Sequence, residues 1–165
     1  MKETYDFEDF REIIKRLRDK DGCPWDREQT HQSLKMCMTE ESLEVLSAIN
    51  IFDKTGNTEN LREELGDVLL QVVMHAQIAE EEGLFTMNDI IFDISEKMIR
   101  RHPHVFGDVT VSDSGEVLKN WDEIKKKEKA GKEWIDLEMN DSINEMMEQL
   151  KIIREKKILK RKNSR

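Results

Sequence analysis

Apolar residues recur along this chain every three or four positions, over stretches too long for strands. That period predicts about five or six helices. The first covers roughly residues 6–20. The polar segment DKDGCPWDREQT then interrupts it, and its Gly22, Pro24 and clustered polar residues read as loop. The second helix covers roughly 30–53, with an apolar stripe of Leu34, Met38, Val45, Ala48/Ile49 and Phe52. A turn in DKTGNTEN follows, where Asn57 or Thr58 suits an N-cap. The third helix, roughly 58–83, carries Leu61, Leu65, Val68, Val72, Ala76 and Ala79, bordered on one side by Glu64, Asp67 and Gln71. Gly83 suits its C-terminal end.

Thr86 and Asp89 have capping-box spacing and open a fourth helix to about residue 101, with Ile90, Ile91, Ile94 and Met98 inward. HPHVFGDVTVSDSG reads as loop. A fifth helix covers about 114–130, and a sixth roughly 141–160, where Ile143, Met146, Met147, Leu150 and Ile153 suit packing on the body or a partner. The predicted class is therefore all-α, a helical bundle. The short turn between the second and third helices makes them antiparallel neighbours.

One interruption in this pattern carries chemistry. The second helix's stripe has a gap at Glu41, and at about 100° per residue Glu41 projects near the middle of the buried face. Glu44 stands about 60° to one side, with Glu40 a little beyond it. Like charges at these spacings repel by a few tenths of a kcal/mol, and nothing basic lies between Met36 and Lys54. The third helix presents a second acidic pair at i, i+3, Glu64 and Asp67. On antiparallel neighbours the four carboxylates converge. Buried without compensation they cost several kcal/mol each or stay protonated. A hard divalent cation with oxygen ligands resolves the conflict, and Mg²⁺ or Mn²⁺ fits such a donor set. Two other readings of these acids exist. One is a solvated acidic face, which suits Glu63, Glu80, Glu81 and Glu82. The other is a di-iron bundle, which wants Glu-x-x-His on two helices, whereas Glu28-x-x-His31 in the loop is the one match and His75 completes no such motif.

Composition narrows the class. The chain has 165 residues, 37% hydrophobic and 38% charged, which suits one compact domain of long helices with a solvated face. Net charge is −9, unevenly spread. Residues 151–165 hold eight Lys/Arg against Glu155, so the first 150 residues are strongly acidic and make a poor general nucleic-acid binder. The basic tail reads as a solvated helix end or frayed terminus, with an anion contact as the alternative. Two cysteines, Cys23 and Cys37, make no disulfide framework and no zinc-site spacing. MKETYDFEDF is not a signal peptide, and no apolar run approaches membrane-spanning length, so a cytoplasmic protein is expected, without membrane or stable nucleic-acid partners.

EESLE followed by EELGD resembles the EExxE…ExxD signature of the all-α nucleoside triphosphate pyrophosphohydrolases, specifically the MazG family. GCPWDREQTHQSL, RRHPHVFGD and NWDEIKKKEK are similar to MazG sequence as well, so the resemblance covers roughly residues 7–130. It implies a MazG-like domain over 1–130 and a basic helical extension over 131–165. It also implies Mg²⁺-dependent hydrolysis of a nucleoside triphosphate to the monophosphate and pyrophosphate, by in-line attack of water on the α-phosphorus. Its metal ligands match Glu41, Glu44, Glu64 and Asp67. Glu40 matches a further acid near the metal, which with Glu41 makes the catalytic pair. Phosphate and nucleotide contacts fall on Lys97, Arg101, Trp121 and Lys125. Each of these last two pairs is i, i+4 and shares a helical edge, which otherwise reads as surface charge and a packed Trp. Family members form helical dimers or larger assemblies, and many carry two copies of the domain, whereas this chain has one. A catalytically weak dimerisation or interaction module of the same fold is the alternative function. The CPWD loop marks the family, with Trp25 packing on the core or helping to form a nucleotide pocket.

Overall fold

The computed structural model describes residues 2–163, with side chains described as far as residue 152. Eight helices and no strand occur among the described residues: α1 (Phe7–Arg18), α2 (Pro24–Glu28), α3 (Lys35–Thr55), α4 (Thr58–Glu81), α5 (Met87–Arg101), α6 (Pro103–Phe106), α7 (Ser114–Lys129) and α8 (Glu133–Asn163). The all-α class expected from the periodicity is what folds. Two compact units divide the chain, Met1–Glu96 and Lys97–Arg165, and the division falls within α5.

Local chemistry sets the helix ends. Asp6 caps α1 in a reciprocal box with Asp9. Helix α3 stops at Gly56, whose φ of 73° is the left-handed cap that glycine adopts without penalty. Asn57 then caps α4, accepting from the backbone N–H of Glu59 at 2.9 Å and of Asn60 at 3.2 Å. The two-residue link leaves α3 and α4 antiparallel and packed along their length. Thr86 and Asp89 form the anticipated box at the start of α5.

Four differences from the sequence reading have physical causes. The CPWD and HPHVF segments, read as loop, contain the short helices α2 and α6. Each begins with proline at its first turn, where the missing N–H costs no hydrogen bond. The second predicted helix starts at Lys35 rather than near residue 30, because residues 30–34 form a turn closed by Ser33 and Thr30. The last helix starts at Glu133, after Gly131 at φ 80°, not near 141. Ile91 and Ile94, expected inward, are exposed, and so are Ile49, Phe52 and Leu65. Periodicity identifies an apolar face but not what covers it. In α8, Met146 and Leu150 are half-buried while Ile143 and Met147 are exposed; Ile153 and the basic side chains after residue 153 lie outside the described residues.

The core of the first unit is Ile14, Leu34, Val73, Met74 and Ile78, with Phe7, Phe10, Leu17, Cys37 and Leu70 packed against it. Arg18, whose side chain is 6% exposed, fastens the α2 segment to this core. Its Nε and Nη2 donate to the Glu81 carboxylate at 3.0 and 2.8 Å, and Nη1 donates to the carbonyls of Gln29, at 3.1 Å, and Asp26. Trp25 does not pack on the core but stands 59% exposed on the fastened segment.

A histidine pair makes a second fastening. The Nδ1 atoms of His31 and His75 are 2.8 Å apart, the ring planes differ by 2°, and the centroids are 5.0 Å apart. That centroid distance is nearly the Nδ1 gap plus two ring radii. The rings therefore lie edge to edge in a common plane, not face to face. A linear N–H···N bond of this kind holds one proton, with one ring donating and the other accepting. A metal ion does not fit between them, since two Zn–N bonds in line need about 4 Å. Burial, and then the neighbouring His31, hold His75 below its usual value of 6.5. Its folded-state value thus lies below its unfolded one, so its contribution to stability is present above about pH 6.5 and is lost as the pH falls through the depressed value. We predict that the thermal midpoint of the wild type falls relative to that of His75→Gln as the pH drops below about 6.5; parallel profiles would contradict this.

Candidate functional site

Helices α3 and α4 carry the acids to one place. Carboxylate oxygens of Glu41, Glu64 and Asp67 all lie within 4.8 Å of one another, and all three residues are half-buried. Glu64 is held by its own helix, accepting from Asn60 Nδ2 at 2.9 Å. Glu44 is exposed and outside this trio, yet close enough for its charge to act on Glu41. Glu40 is half-buried, and its charge acts on Glu41 as well.

The electrostatics agree with the spacing. Burial pushes the Glu41 carboxyl above its ordinary value, and Asp67, Glu44, Glu64 and Glu40 push it further in that order. No ion pair joins Glu41, Glu44, Glu64 or Asp67 to a Lys or Arg among the described residues. The trio fits a small hard cation. Two oxygens on opposite sides of one Mg²⁺ stand about 4.2 Å apart and adjacent ones about 3 Å, so 4.8 Å closes with a small side-chain movement. An all-carboxylate donor set suits Mg²⁺ or Mn²⁺ rather than a thiolate- or imidazole-seeking ion.

The four basic and aromatic residues singled out in the sequence all belong to the second unit. There Arg101 and Trp121 meet, with the guanidinium carbon 5.3 Å from the ring centroid. Arg101 also donates to Glu128 at 2.6 Å from Nη2, and Arg100 shares the same carboxylate. The Trp121 ring lies 6.4 Å from that of His102, and its buried Nε1 has no hydrogen-bond partner. Lys97 is half-buried. Lys125 is exposed on α7 and lines an open depression with Lys119, Lys126, Lys129 and the acids Asp122 and Glu123. Hydrogen bonding to Arg101 holds Glu128 below the usual carboxylate range despite an opposing effect of burial.

Two features escaped the sequence reading. Gln71, taken there as a border residue, is buried at 8% exposure. His31 and His75 are bonded across 44 positions. The signal that was available is the spacing 64, 67, 71, 75, which puts acid, acid, amide and imidazole on one face of α4.

Comparison with known proteins identifies similar sequences and a similar structure. The family model for the MazG nucleotide pyrophosphohydrolase domain matches residues 29–106. The "Uncharacterized protein YabN" of Bacillus subtilis (strain 168) is 59% identical over 125 residues, covering 76% of this chain and 25% of that protein. The "Nucleoside triphosphate pyrophosphohydrolase/pyrophosphatase MazG" of Thermotoga maritima is 51% identical over 126 residues, covering 76% of this chain and 46% of its own length. This chain thus spans less than half of either relative. A crystal structure of a mazG-related protein from Thermotoga maritima superposes with a TM-score of 0.59 at 31% identity, covering 72% of this chain and 98% of that one.

Proposed function

The chain belongs to the MazG nucleotide pyrophosphohydrolase family, and from that premise we propose that it hydrolyses nucleoside triphosphates to the monophosphate and pyrophosphate, with Mg²⁺ as cofactor and Mn²⁺ as a substitute. The observation that carries this reading is the convergence of Glu41, Glu64 and Asp67 within 4.8 Å without a compensating base among the described residues. Glu41, Glu44, Glu64 and Asp67 hold the cation. Bound there, the ion supplies Lewis-acid polarisation of the triphosphate and a lowered pKa for water at neutral pH.

The chain's own groups do the rest. Glu40 orients the attacking water and, with Glu41 alongside it, takes its proton. The water oxygen bonds to the α-phosphorus as the bond from that phosphorus to the α–β bridging oxygen breaks, and the bridging oxygen leaves with pyrophosphate. Lys97, Arg101 and Lys125 neutralise phosphate charge, and Trp121 offers its face to the base. Substrate phosphates have to displace Glu128 from Arg101, and Arg100, which shares that carboxylate and is 51% exposed, keeps Glu128 paired when they do. Residues 1–130 form the catalytic domain in this reading, with 131–165 a basic extension.

A second copy of the chain is part of the same proposal. Leu43, Leu46, Ile49 and Phe52 of α3 and Leu65 and Leu69 of α4 are exposed apolar residues, a surface of the kind that marks protein contacts. A homodimer or larger homo-oligomer covers them. No described helix is long and apolar enough to cross a membrane, and a cytoplasmic site of action fits a nucleotide substrate.

The test is product identity. Phosphorus NMR of a panel of nucleoside triphosphates with the protein and Mg²⁺ should show monophosphate and pyrophosphate growing together. Diphosphate with orthophosphate would refute the bond assignment. No product from any of the triphosphates would favour the non-catalytic interaction module.

A further inference from the structure

Gln71 is more than nine-tenths buried, at 8% exposure, and its Oε1 has no hydrogen-bond partner. A buried amide carbonyl left in that state costs about 1–3 kcal/mol, and native proteins normally supply it with a water or a ligand. Its position says which. Gln71 follows Asp67 by one turn of α4 and Glu64 by two, so the three share a face. Long side chains on a helix lean toward its N-terminus and cover the preceding turn. For Gln71 that direction leads to Asp67 and the carboxylate cluster.

With its carboxylates ionised, as they are when a cation is bound, the cluster offers Gln71 Oε1 nothing to accept from. Ionised carboxylates are acceptors, and no Lys or Arg is paired with the trio among the described residues. Water is the species that satisfies both sides, giving one proton to the amide oxygen and the other to a carboxylate. We propose that Gln71 is a positioning residue, whose Oε1 accepts a hydrogen bond from a water at the cluster and so aims that water's lone pair at the α-phosphorus. This rests on the pyrophosphohydrolase reading above and deepens it. An amide suits the task because it supplies an acceptor without adding another charge to acids that already push Glu41 upward.

Gln71→Met tests this, since it nearly preserves length and volume and deletes the orphaned acceptor. Without metal its thermal midpoint should equal or exceed that of the wild type. Its Mg²⁺-induced rise in thermal midpoint should match the wild type's, because Gln71 is not an ion ligand. Turnover should fall roughly 10–100-fold with KM changed by less than about threefold. Gln71→Asn, whose carbonyl is one methylene short, should show the same split. A folded Gln71→Met enzyme with wild-type kcat would mean the orphan is a packing defect and would overturn the proposal. So would loss of the Mg²⁺-induced rise, which would put Gln71 on the ion, or failure of the variant to fold, which would make the carbonyl a core support. An inactive wild type would overturn both readings, whereas an active wild type beside an equally active Gln71→Met overturns this one.

Discussion

Asp67→Ala and Glu41→Ala are each expected to lower pyrophosphate release on the order of 10³-fold, with helical content unchanged. Both residues contribute to the converging trio, and neither belongs to the apolar core of the first unit. Each substitution removes one negative charge from a group whose members repel one another, so stability in the absence of metal should hold or rise. The measurement is pyrophosphate release beside far-UV circular dichroism. Retained Mg²⁺-dependent turnover in both variants would remove the trio from the chemistry. Loss of activity with loss of fold would mean the carboxylates support the structure instead.

Mg²⁺ is expected to raise the thermal midpoint of the wild type and to do so much less for Glu41→Gln. At an ion concentration about 100 times its dissociation constant, linkage stabilises the folded state by about 2.7 kcal/mol. For a chain of this length that corresponds to roughly 5–10 °C. The sign of the Glu41 effect follows from its raised value. Its carboxyl in the folded protein sits above the ordinary 4.5, so in the metal-free protein its contribution to stability is present at low pH and lost as the pH rises through the folded value. Glu41→Gln removes that loss, and its metal-free midpoint at neutral pH should exceed the wild type's. This trend opposes that of His75, which is why each is read as a difference between wild type and variant. An Mg²⁺-induced rise in Glu41→Gln equal to the wild type's would show that the ion does not bind at Glu41.

The α3–α4 hairpin and its acids were legible in the sequence because their signals are local. A period of three to four residues fixes the face, a Gly-Asn turn fixes the antiparallel pairing, and Glu41 stands where an apolar residue belongs. The short helices α2 and α6 were not legible, because proline in a polar segment signals a break as readily as a first turn. The His31–His75 bond joins a turn to a helix 44 residues away, and no local pattern announces such a contact. Burial of Gln71 depends on what α4 packs against. Exposure of Ile49, Phe52, Ile91 and Ile94 marks the complementary gap, for a stripe shows which side of a helix is apolar without saying whether the same chain covers it.

The central claim is that Glu41, Glu44, Glu64 and Asp67 hold a divalent cation for cleavage between the α- and β-phosphates. Its most direct test is pyrophosphate release by the wild type from nucleoside triphosphates, measured with Mg²⁺ and then with a chelator in excess. The account predicts release with Mg²⁺, its loss on chelation and its return when Mg²⁺ is restored. Release undiminished by chelation, or absent under all three conditions, would contradict it.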